Sequence, residues 1–388
     1  MHRPILILAV VILVACTLPV GAGGIPDTHK PVIKKGLEWL VEHQGKDGSY
    51  PFGISDPHYH TVATSFAGLA LLAEGSTATK GKYAANIDRA TEWLVRNCGK
   101  RDSDGLLTGD RSQGGIYMFG HAYATLFLAS VCARFDVPDD GKKPTLQQRM
   151  DRVRRKELQE VLKRAVAFSV RAQISTGGWH YVSSEEAGAI PDFQNFLDES
   201  TVTLCQIQAL RAARMAGVAV PEETMKKAYA RLAKLTTASG GLRYASGSRG
   251  DFKSIPLTIA AIACAYDPAD YNKELPKKCI KFSENSFTPD KKSRFPDYTY
   301  FHAALVLHGL GEKGFADIFG KEQPGMKWSE HRKLCFENAR DTQEANGSWK
   351  PADPRADQVY ATAIKLIVLQ LDNEAVPIFR TKAEGKKK

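Results

Sequence analysis

Five short stretches collect most of the side chains in this sequence that could move protons. They are His58-Tyr59-His60, Tyr117 with Phe119 and His121, Asp198-Glu199, Asp297-Tyr298 with Tyr300 and His302, and Tyr360. Imidazoles, phenols and carboxyls converging on one cleft supply general acids and bases. On that reasoning the catalytic candidates are His60, Tyr117, His121, Asp198, Glu199, Tyr300 and His302. The ligand-binding candidates are Tyr59, Phe119, Trp179, Tyr181, Asp297, Tyr298 and Tyr360. Each also has a structural use. Asp198-Glu199-Ser200 suits a helix N-cap, and one hydrogen bond satisfies a His at a buried helix start. A zinc triad of His60, His121 and His302 is disfavoured because the three belong to separate helices. No metal or cofactor is expected.

The elements that must position these residues are helices, since 3.6-residue periodicity runs from His29 onward and strand-like alternation is scarce. They come in two kinds. KPVIKKGLEWLVEHQ places Val32, Ile33, Leu37, Leu40 and Val41 on one stripe with lysines opposite. HTVATSFAGLALLAEG has no charged face until Glu74, so it must be buried all round. Charged then apolar recurs in six pairs, a period of roughly 57 residues that signals a stacked helical array. The last apolar helix, VYATAIKLIVLQL, lacks the polar face an open end requires. A closed α6/α6 toroid over residues 29–373 is therefore expected, with the apolar helices inside and a basic tail at 374–388.

The N-terminus, MHRPILILAVVILVAC, has an apolar run from Ile5 to Ala15, too short for a permanent span and placed where a secretory signal belongs. Residues 1–24 are read as a signal. Leu13-Val14-Ala15-Cys16 fits a bacterial lipobox that would anchor the chain through Cys16; cleavage near Gly24 is the alternative. Either way the protein is expected to be exported, periplasmic, envelope-anchored or secreted, without a transmembrane span. The other six cysteines show no CxxC spacing and read as structural thiols before disulfides. The net charge of +10 is spread along the chain, densest at Arg149–Arg164. No basic face interleaved with aromatics is visible, which argues against nucleic acid and for a solvated helix face.

One phrase repeats. Gln44-x3-Gly48-x-Tyr50, Gln173-x3-Gly177-x-Trp179 and Gln343-x3-Gly347-x-Trp349 share a spacing, and Thr236-x3-Gly240-x-Leu242 is a degenerate copy. The Gln closes an outer helix, the Gly permits the turn that ends it, and the aromatic covers that turn. The phrase resembles the QW motif of the squalene-hopene cyclase and prenyltransferase repeat superfamily, whose fold is an α/α toroid. Met118-Phe119-Gly120-His121, Gly177-Gly178-Trp179-His180-Tyr181 and Asp198-Glu199-Ser200-Thr201 resemble uncharacterised exported bacterial proteins of that superfamily.

The superfamily's catalytic signatures do not follow. The Asp-x-Asp-Asp of class II cyclases, the Asp-Asp-x-x-Asp of class I enzymes and the Asp-x-Cys of zinc prenyltransferases are all absent; the stretch Leu197–Val202 keeps only Glu199 and Thr201 of the first. Three readings stand: a cavity protein binding an isoprenoid or a glycan; an enzyme; or a structural or interaction protein of the envelope. The enzyme would be a degenerate terpene cyclase with Asp198 or Glu199 as acid. Alternatively it would be a toroid polysaccharide lyase or hydrolase pairing Tyr300 with His302, or Tyr117 with His121. The insertion at 182–196 is read as a lid or a plain loop beside the mouth.

Overall fold

A computed structural model describes residues 25–51, 57–99, 104–108, 116–135, 143–184, 200–245, 253–287, 295–319, 326–354 and 356–381. Among these, the outer helices are α1 (Lys30–Glu42), α3 (Ala84–Gly99), α5 (Leu146–Ala172), α7 (Glu222–Leu235), α9 (Glu274–Ser283) and α11 (Trp328–Thr342). They alternate with the inner helices α2 (Pro57–Ala73), α4 (Tyr117–Cys132), α6 (Ser200–Met215), α8 (Ile255–Ala265), α10 (Pro296–Leu310) and α12 (Gln358–Leu369). A short helix, Gly314–Phe319, lies between α10 and α11. The described residues form no strand, only two isolated bridges.

The inner helices are largely buried, as their mostly apolar sequences require: in α4 every residue except Phe119 is buried. Each packs on its neighbours in chain order, and α12 returns to pack on α2. Side chains seal the join, with Gln370 Nε2 donating to the Ala70 carbonyl at 3.2 Å and Asn373 Nδ2 to that of Ala73 at 3.0 Å. The result is a closed α6/α6 toroid.

The repeated phrase is the joint of the outer layer. Gln173 Nε2 donates to the Gly177 carbonyl of its own turn and to the Thr224 carbonyl on the next outer helix. Gln44 does the same with Gly48 and Asn86. Gln343 does it with Gly347 and Val32, bonding the last outer helix to the first. The glycine lets two backbones touch. Gly347 has φ +95°, and a Cβ there would stand 2.6 Å from the Lys35 carbonyl oxygen, so only Gly fits. The aromatic then folds back: the indoles of Trp179 and Trp349 donate to the Ser169 and Ala339 carbonyls, 2.8 Å each. Their backbone N–H groups donate to Thr203 and Thr362 on the inner helices, as that of Tyr50 does to Thr64. Each joint thus ties three helices.

The chain after α12 is not a free tail from residue 374. Glu374–Thr381 lies across the face where the inner helices end, with Val376 and Phe379 buried and Phe379 edge-on to Phe301 at 5.7 Å. The fold therefore runs to Thr381. No described helix is long and apolar enough to cross a membrane, and the described cysteines, Cys132, Cys205, Cys264, Cys279 and Cys335, are buried free thiols.

Candidate functional site

The inner helices surround an axis lined with rings. Phe66 of α2 meets Tyr123 of α4 at 4.7 Å, Tyr360 of α12 at 4.9 Å and Phe301 of α10 at 5.7 Å. These four side chains come from helices far apart in sequence, and ring closure brings them together. Phe66, Phe301 and Tyr123 are almost fully buried and form a floor. Tyr360 and Tyr298, on the first turns of α12 and α10, keep partial exposure on the side where the inner helices begin. Phe119 and Tyr181, 5.8 Å apart, and Tyr244, whose hydroxyl lies 3.0 Å from that of Tyr181, are half-buried near the same end. The opposite end is sealed by Phe379; the cavity of about 20 Å³ among Arg211, Tyr266, Tyr271, Leu305 and Arg380 is water-sized.

The polar groups on this axis are uncharged. Burial holds the Tyr123, Tyr298 and Tyr360 phenols above their ordinary range, and pushes the Cys205 thiol, 3.0 Å from the Tyr123 hydroxyl, up to about 12. His302, its ring tilted against that of Tyr298 at 4.1 Å, is pulled down to about 4 by burial. Its Nδ1 donates to the Tyr298 carbonyl at 2.8 Å, which leaves the Nε2 lone pair buried without a partner, as the Tyr298 hydroxyl also is.

Several candidates prove to be scaffold. Trp179 is 0% exposed and spends its indole on Ser169, so it lines no cavity. His121 occupies the place of the inner-helix threonines: its Nδ1 accepts from the Leu107 N–H, and its Nε2 then donates to Ser169 Oγ at 2.9 Å. Ser169 in turn donates to Gln206. This buried His–Ser pair runs opposite to a nucleophile pair, in which the imidazole would accept. The Tyr117 hydroxyl accepts from the Ser183 N–H at 2.7 Å, so Tyr117 and His121 serve separate loops. Tyr300 faces outward, its hydroxyl against the Cys335 thiol and its ring 4.4 Å from Lys365 Nζ. It cannot pair with His302, two residues on and across the helix.

Asp297 is buried, and its Oδ2 accepts from the Ala352 and Asp353 N–H groups at 2.9 and 3.2 Å. Burial raises its pKa against those bonds, and its charge acts on Tyr360. Tyr59 and His60 are half-buried on the first turn of α2. Asp198 and Glu199, with most of the insertion at 182–196, lie outside the described residues. Phe66, Tyr123 and Phe301 were missed from sequence; the available sign was an aromatic in the middle of each of the apolar helices α2, α4 and α10. Among the described residues no cluster could hold a metal ion.

No family model matches the chain, and no curated protein matches it. Solved structures do. The type II terpene cyclase MstE from Scytonema aligns over 91% of this chain and 100% of its own, with a TM-score of 0.51 and 14% identity. The fold is that of a terpene cyclase toroid. A protein from Actinoplanes covers 89% of this chain and 99% of its own at TM-score 0.53 and 14% identity. An MstE variant in complex with geranylgeranyl dihydroxybenzoate covers 90% and 98% at TM-score 0.50 and 14% identity. At such identity the likeness is one of fold, and the axis has to be judged on its own side chains.

Proposed function

We propose that this protein holds an elongated apolar ligand of isoprenoid type in the aromatic cup on the toroid axis, entered from the side where the inner helices begin. The observation that carries this reading is the cup's lining. Half-buried Tyr298 and Tyr360 stand over a floor of Phe66, Tyr123 and Phe301, and every titrating group among them is neutral near pH 7. Ring faces favour an alkene chain, whereas a glycan wants a wide polar cleft. The isoprenoid ligand bound by a protein of similar fold supports the same choice. The Tyr298 hydroxyl and His302 Nε2 offer a donor and an acceptor to an uncharged ligand oxygen.

Catalysis is a second reading, favoured by Asp297, a buried carboxyl with a raised pKa beside Tyr360. Export, with or without a lipid on Cys16, belongs to the same proposal. Native mass spectrometry of the full chain with geranylgeraniol, and separately with a hexasaccharide, tests it. One retained isoprenoid per chain, weakened about tenfold by Tyr298→Ala, is expected. Retention of the sugar alone sinks the isoprenoid reading. Conversion of the bound isoprenoid, lost in Asp297→Asn, decides for the enzyme.

A further inference from the structure

The longest outer helix carries a surface that the ring does not use. In each joint the glycine packs on a carbonyl early in the next outer helix: Arg89, Lys227, Lys278 and Lys35 are the fifth or sixth residues of theirs. In α5 the corresponding residue is Arg164, the nineteenth. The first thirteen residues of α5 therefore extend past the frame shared by the other repeats. Their start is fixed by a capping box at Thr145 and Gln148. The inward side is anchored on the loop after α2, on α3 and on the end of α4: Asp151 is 0% exposed between Gln147 and Thr79, Arg154 pairs with Asp88, and Cys132 Sγ lies against the Arg155 carbonyl.

The outward side of residues 146–153 is apolar, and exposed Glu157, one turn on, ends the stripe. Leu146, Met150 and Val153 are 67, 52 and 56% exposed, and at 100° per residue they form one stripe within about 60°. Arg149, Arg152 and Lys156, all exposed, form a second stripe beside it. An exposed apolar stripe flanked by cations is the pattern of a helix lying in a membrane interface. The charge of the surroundings selects the occupant. Arg134 and Arg380 lie close together on this face: burial lowers the Arg134 pKa, and the Arg380 charge lowers it further.

We propose that the face on which the inner helices end docks on an anionic phospholipid surface. Leu146, Met150 and Val153 enter the headgroup boundary, and Arg149, Arg152 and Lys156 pair with lipid phosphates. The ligand cup then opens on the side away from the bilayer. Vesicle binding by itself does not identify the segment that inserts, so the test must report on α5 itself. Met150→Trp in the full chain is titrated with vesicles of phosphatidylglycerol and phosphatidylcholine that carry brominated acyl chains. The wild-type chain is the blank to subtract: Trp39, Trp179, Trp328 and Trp349 are buried and Trp93 of α3 is half-buried.

Quenching of the new tryptophan by anionic vesicles is expected, with little by pure phosphatidylcholine and reversal in 0.5 M salt. Arg149→Gln, Arg152→Gln and Lys156→Gln together should weaken the apparent affinity about a hundredfold, roughly fivefold per cation. Leu146→Gln with Val153→Gln should abolish quenching while leaving the circular dichroism unchanged. Vesicle binding without quenching at residue 150, equal quenching by neutral vesicles, or an acidic protein covering α5 in preference to lipid would each overturn the proposal.

Discussion

Replacing Gly347 with alanine probes the joint that closes the ring. The residue sits at φ +95°, and a Cβ would stand 2.6 Å from the Lys35 carbonyl oxygen and 2.9 Å from its carbon. Holding an L-residue in the left-handed region costs about 1–2 kcal/mol. Overpacking against a backbone group that cannot swing away adds about 1–3 kcal/mol. Gly217 provides the control: its φ is +82°, but a Cβ there meets only Gln159 Nε2 at 3.2 Å, the far end of a flexible side chain. Gly217→Ala should therefore lose only the conformational part, about 1 kcal/mol, and Gly347→Ala about 3 kcal/mol, in urea unfolding. Because Gly347 joins α11 to α1, hydrogen exchange should quicken there before it does in α5 and α6. Equal losses in the two variants, or exchange that quickens uniformly, would refute the view that these turns hold the ring by backbone contact.

Three further outcomes follow from the same structure. Gln343→Ala removes two hydrogen bonds and leaves the Val32 carbonyl without its side-chain donor; a loss of about 1–3 kcal/mol is expected, read by urea unfolding. His302 and His331 are both held down to about 4 by burial. Since the unfolded side chain titrates near 6.5, the unfolded state binds more protons between these values. Stability is therefore full above about pH 6.5 and falls as pH drops toward 4, by up to about 3 kcal/mol per histidine. The His302→Gln, His331→Gln double variant should flatten that limb, and an unchanged slope would count against it. Burial raises the thiols of Cys132, Cys205, Cys264, Cys279 and Cys335, so all five should react with Ellman's reagent only after denaturation; rapid modification of any one in the native protein contradicts its burial.

The fold was legible because its cause is local. Mostly apolar inner helices, charged outer helices and the Gln-x3-Gly-x-aromatic turns each write their role within about twenty residues, and together they count six pairs and require closure. The joint at Gly105 shows the limit: it has no Gln, yet its glycine packs on the Arg164 carbonyl like the others. The site was legible only as a neighbourhood. Tyr298, Tyr360 and His302 do reach the axis, but Tyr300, two residues from His302, faces the outer layer, and His121 stands in for a threonine.

By itself the sequence determined the helices, their pairing into layers and the closure of the ring, since periodicity and backbone turn chemistry are properties of consecutive residues. Only the tertiary structure decided which rings meet. Phe66, Tyr123, Phe301 and Tyr360 lie on four helices and come into contact through the rotation of each helix about its own axis, which depends on packing against neighbours hundreds of residues away. The same rotation turned Trp179 and His121 into staples and left Leu146, Met150 and Val153 facing outward, where the charges around them had suggested an ordinary solvated helix.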